Sequence, residues 1–190
     1  MGFGKSFLLS LVAFVGLNFI FVILYFAIDQ DSGGFDSLMT TIEDAPLMII
    51  FYLFGSVAST PFINLDGAIA QPLFNGDTAF LILSLGYLAA PIIAAILAGK
   101  FAESKFQGFT GWMLTVIVST VTVVVGVFLS QTMLNTLKSS TYFVYFNTYF
   151  PSLLLSGGFE EVLIYLIISC VVNIGFYSFF AFLLSKTEYY

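Results

Sequence analysis

Four long apolar runs divide the chain, at 6–28, 79–99, 112–133 and 162–184, with short polar stretches between them. At 1.5 Å per residue, each is about long enough to cross a hydrocarbon core ~30 Å thick. The two central runs are joined by a short segment carrying Lys100 and Lys105. They read as a transmembrane hairpin whose turn stays in the cytoplasm, and this hairpin orients the rest.

In the first run, Lys5 precedes an apolar stretch of 23 residues. A signal-peptide core is only ~7–15 residues, so an uncleaved first span is expected. Asp29, Asp31, Asp36, Glu43 and Asp44 follow with no lysine among them, and Ser32-Gly33-Gly34 marks a loop. The next apolar piece, 45–60, has 16 residues, and its second half is small and polar (Gly55, Ser56, Ala58, Ser59) before Pro61. A spanning helix needs ~17–25 residues. Two similar turns occupy 61–67 and 72–77.

The lysines choose between five crossings and four. If 45–60 spans, the five lysines divide three to two at best. If 45–74 dips in and returns, Lys5, Lys100, Lys105 and Lys186 are inside and only Lys138 is outside. Four crossings with both termini cytoplasmic are therefore expected. Such a return needs protein cover or water, because bare backbone cannot face lipid.

Within the second span, Gly86 and Pro91 predict a kink. Ala90, Ala94 and Ala98, with Ala95 and Gly99, form four-residue rows that let helix backbones approach closely. The stretch 100–111 mixes Phe101, Phe106 and Phe109 with polar residues and suits a short helix at headgroup level, with Trp112 as an interface anchor. In 135–161, six aromatics from Tyr142 to Phe150 suit an outer interfacial helix.

Composition agrees with a lipid environment: 59% hydrophobic, 8% charged, mean hydropathy +1.05. A soluble domain carries about 25% charged residues. The net charge of −6, with no His and five scattered lysines, excludes a phosphate-binding surface for nucleic acid. One cysteine, Cys170, excludes an intrachain disulfide, and no His with a single Cys excludes the usual zinc, copper and haem sites. No cofactor is expected.

The candidate residues are polar positions in apolar surroundings. Asn18 and Asn173 lie near mid-membrane, where an amide wants a partner. They form a binding site or helix–helix glue worth about 0.6 kcal/mol, and glue is the favoured reading. Thr115, Ser119, Thr122, Gly126 and Ser130 fall on one helical face, either lining a water path or packing a neighbour, and packing is favoured because no charge accompanies them. Asn64, Asp66, Asn75 and Asp77 are oxygen donors in two turns, but they are also ordinary turn residues. Glu160-Glu161 resembles the opening of the motif of the CAAX-processing glutamate proteases. That motif continues with Arg, where this chain has Tyr165, and with His, which it lacks. The acids are expected instead to complement a helix N-terminus.

The expected fold is an all-α polytopic membrane domain of four spans, a re-entrant or half-membrane segment and an outer aromatic helix. No nucleophile–base pair or metal constellation points to catalysis. A non-enzymatic cell-membrane subunit of a larger assembly, of the transporter kind, is expected, with bilayer lipid and other membrane subunits as partners. The alternative is a self-contained solute transporter or channel with its site at 45–74.

Overall fold

The structure is a computed structural model that describes residues 2–29, 33–63, 65, 70–150 and 158–185. Every regular element among them is helical. In chain order they are α1 (Gly2–Ile28), α2 (Gly34–Asp44), α3 (Met48–Phe54) running into a 3-10 turn (Gly55–Ala58), the single turn α4 (Pro61–Ile63), α5 (Gln71–Asn75), α6 (Thr78–Lys100), α7 (Lys105–Leu129), α8 (Gln131–Ser139), α9 (Thr141–Tyr149) and α10 (Phe159–Leu184). Helices α1, α6, α7 and α10 are each long and apolar enough to cross a membrane. This is the architecture of a multi-pass membrane protein.

The four long helices alternate in direction. Ser6 Oγ near the start of α1 donates to Ala98 O near the end of α6 at 2.7 Å. Gly99 lies against the Ala181 backbone of α10, and Gly108 near the start of α7 lies against Ser185. At the opposite end, Phe128 of α7 meets Phe159 of α10, with ring centroids 5.8 Å apart. Lys5, Lys100 and Lys105 therefore gather at one end. Asp29, Asp36, Glu43, Asp44 and Asp77 lie on the segments joining the helices at the other.

The bundle buries small and polar side chains beside large rings such as Phe14, Tyr87 and Trp112, and leaves many large apolar side chains exposed. The buried stripe of α1 is Gly2, Ser6, Ser10, Phe14, Asn18, Val22 and Phe26, every fourth residue. Leu8, Val12 and Ile20 on its other faces are 57%, 60% and 51% exposed. Helix α6 likewise buries Ser84, Ala90, Ala94, Ala95, Ala98 and Gly99. Small and polar side chains let backbones close together, while large apolar ones meet lipid. The small-residue rows of α6 are thus used within the chain's own bundle.

Several boundaries differ from expectation. The segment 100–111 forms no separate interfacial helix. Ser104 Oγ accepts from Gln107 N at 3.3 Å and starts α7 at Lys105, leaving a turn of four residues. Trp112 is consequently two turns inside α7, fully buried between Phe14 and Tyr177, and anchors no interface. The third long helix stops at Leu129 rather than Met133, because Ser130 turns extended and its hydroxyl accepts from Met133 N at 3.2 Å to begin α8. The six aromatics of the 135–161 segment are divided by exposure: Tyr142, Phe143 and Phe146 are buried against the bundle, Tyr145 is half-buried, and Tyr149 and Phe150 are exposed.

Candidate functional site at the helix break

The apolar piece after α2 does not continue as a helix. Helix α3 tightens into the 3-10 turn and then becomes extended at Ser59, so the backbone of 57–59 leaves the helical ladder. Residues 55–61 are all buried. Carbonyls that leave a ladder inside an apolar bundle need other donors.

Helix α10 supplies them from a row of polar side chains at every fourth position: Glu161, Tyr165, Ser169, Asn173 and Tyr177, all buried. The Tyr165 hydroxyl donates to Ala58 O. Asn173 Nδ2 donates to Val57 O at 3.0 Å and to Ser59 O at 3.2 Å. Two side chains, two turns apart, thus hold three successive carbonyls. Trp112 Nε1 reaches the Asn173 backbone carbonyl at 3.3 Å, which ties α7 to the same point. Gly55 makes the close approach of α6 possible, since a Cβ there would sit 2.8 Å from Tyr87 Oη.

Asn18 and Asn173 do not bond each other. Asn18 Nδ2 turns back to Phe14 O in its own helix at 2.9 Å. On α7, Thr115 and Thr122 likewise donate to Gly111 O and Val118 O, at 3.0 and 2.8 Å. Ser119 is fully buried, Gly126 packs on Met133, and Ser130 is the α8 cap. In the second turn, Asp77 is the N-cap of α6, accepting from Phe80 N at 3.0 Å, and Asn75 ends α5. Asn64 and Asp66 lie outside the described residues. Among the described residues no group of His, Cys, Asp and Glu could hold a metal ion.

Beside the break lies a cleft of about 590 Å³. Thr60, Phe62 and Ile63 form one wall, Tyr145, Phe146, Tyr149 and Phe150 another, and Ile168 and Val172 of α10 a third. Among the described residues no charged side chain lines it, and its size and apolar character fit a drug-sized ligand. Its aromatic wall is braced by Phe143 and Phe146 packing on Tyr165, at 5.3 and 5.1 Å between centroids. Tyr142, behind that wall, lies 3.4 Å from the Ser84 hydroxyl, and burial pushes its phenol up to about 12. It therefore stays neutral at any physiological pH.

The sequence alone does not single out Tyr165, Ser56, Ser59 or Ser169 for a binding role. The signal was present in the four-residue polar row of α10, on a helix otherwise almost wholly apolar. Comparison with known proteins finds no match: no family model, no curated protein and no solved structure.

Proposed function

We propose that this chain is a non-enzymatic membrane protein that binds a small, largely apolar solute in the cleft beside the break, as part of transport across the bilayer. One observation carries the reading: a deliberately interrupted segment, covered by protein, with its freed carbonyls held by Tyr165 and Asn173. Non-helical backbone at membrane depth is costly and recurs where transporters build their sites. In this reading residues 45–74 enter from the acidic outer end, turn near the middle of α10 and return. Helix α9 lies at the outer interface, and both termini and the lysine-bearing end are cytoplasmic, in the cell membrane.

A second reading, a subunit of a larger transporter assembly, is favoured by a different feature. Phe3, Phe106, Met113 and Leu114 line a groove of about 530 Å³ at the lysine-bearing end, and Phe106 is largely exposed. Native mass spectrometry of a mild-detergent extract separates the two. The solute-binding reading expects a small-molecule adduct on the wild type that is lost in Val172→Trp, which fills the cleft. Stoichiometric partner chains with no adduct would favour the subunit reading and count against the first.

A further inference from the structure

We infer that the break is a binding site for a small monovalent cation, held by neutral oxygens of Asn173, Ser59, Ser56 and Ser169. The starting point is a set of oxygens that the fold buries and leaves unbonded. Asn173 Oδ1, Ser56 Oγ, Ser59 Oγ and Ser169 Oγ have no hydrogen-bond partner among the described residues. The four residues are 2%, 1%, 1% and 0% exposed. Buried polar atoms are nearly always satisfied, and those the protein leaves open imply water or an ion.

The residues that carry these oxygens lie side by side at the break. The Asn173 amide nitrogen already touches Val57 O and Ser59 O, so the oxygen of the same planar group lies within a few ångströms of that backbone. Ser56 and Ser59 bracket the same carbonyls, closed into a turn by Ser59 N donating to Ser56 O at 3.1 Å. Ser169 stands on α10 one turn from Asn173 and one turn from Tyr165, both of which grip the break. It sits close to the Tyr165 hydroxyl, on the same face of α10.

The chemistry of the set names the ligand. Asn173 Oδ1 can only accept, and each serine hydroxyl offers lone pairs beside it, so the set suits a hard cation. Glu161, the nearest acid in the row, is three turns from Asn173, about 18 Å along the helix. The four named residues are neutral, and among the described residues neutral donors alone cannot offset a double charge inside an apolar bundle, which leaves a monovalent ion. Unwound carbonyls at mid-membrane coordinate such ions in transporters. The acids Asp29, Asp36, Glu43, Asp44 and Asp77 at the end from which the segment enters create a negative potential that concentrates cations there. The inference does not depend on which solute the neighbouring cleft takes.

Thermal unfolding of the purified chain in detergent tests this without a solute. Unfolding temperature is measured against NaCl, KCl or LiCl, with choline chloride holding ionic strength constant. At least one alkali ion is expected to raise it saturably, by about 3 °C or more. Ser59→Ala removes an oxygen that makes no other bond, and Ser169→Ala removes one whose side-chain neighbour is the Tyr165 hydroxyl. They are expected to unfold near the wild-type temperature in choline while needing at least about tenfold more salt for half the shift. Identical wild-type melts in all four salts would assign the open oxygens to water and overturn the cation site. A salt shift unchanged in both variants would also overturn it, by placing the ion elsewhere.

Discussion

Asn173 does at the scale of one residue what a helical ladder does along a whole segment. Its amide replaces two backbone donors that the break removes, and Tyr165 replaces a third. A buried carbonyl left unpaired costs about 1–3 kcal/mol. Asn173→Leu, close in volume, should therefore lower unfolding stability by about 2 kcal/mol, and Tyr165→Phe by about 1 kcal/mol. Because both side chains hold the same three-residue backbone, the double variant should lose less or more than the sum, by at least about 0.5 kcal/mol. Equilibrium unfolding in mixed micelles measures all three. An Asn173→Leu loss below about 0.5 kcal/mol would mean that these carbonyls have another source of donors.

Among the elements, packing rather than propensity decides which faces meet. Helices α1, α6 and α10 carry large apolar residues on most faces, so the choice of buried face falls to the small and polar side chains that admit a neighbour. At Gly99 an added Cβ would collide with the Ala181 carbonyl, a backbone atom that cannot rotate away. At Gly16 nothing lies within 4 Å. Gly99→Ala should consequently cost about 1–3 kcal/mol by prising α6 from α10. Gly16→Ala should be neutral or stabilising by up to about 1 kcal/mol through helix propensity. Side-by-side unfolding of the two variants checks this, and equal effects would remove the close-packed α6–α10 seam. The small-residue rows were visible as four-residue spacings. That they face α1 and α10 of the same chain rather than a partner's helix was not, because spacing states a face and not its neighbour.

For the whole molecule, the separation of charge sets the expected orientation. Lys5, Lys100 and Lys105 share one end, and the acidic connections share the other. Lysines near the ends of spans hold their side in the cytoplasm. Asn75 is exposed at the acidic end, and Glu103 is in the short turn at the lysine end. In a Cys170→Ala background, Asn75→Cys should react with an impermeant maleimide added to intact cells, and Glu103→Cys only after permeabilisation. The reverse pattern would invert the topology and with it the direction from which the break is reached.

The number of long apolar helices and the shortness of the second apolar piece were legible in the chain alone. These are properties of contiguous residues, and the thickness of a bilayer converts them directly into crossings. The sequence also showed Asn18 and Asn173 to be polar residues in apolar runs, though not what they touch. Their partners emerge from the fold: Asn18 bonds its own helix, while Asn173 holds carbonyls more than a hundred residues away. The tertiary structure alone withdrew Trp112 into the core and divided the aromatic segment into a buried face and an exposed one. In helices that carry large apolar residues on most faces, hydrophobicity no longer distinguishes inside from outside. The interior is then chosen by shape and by hydrogen bonds between distant residues.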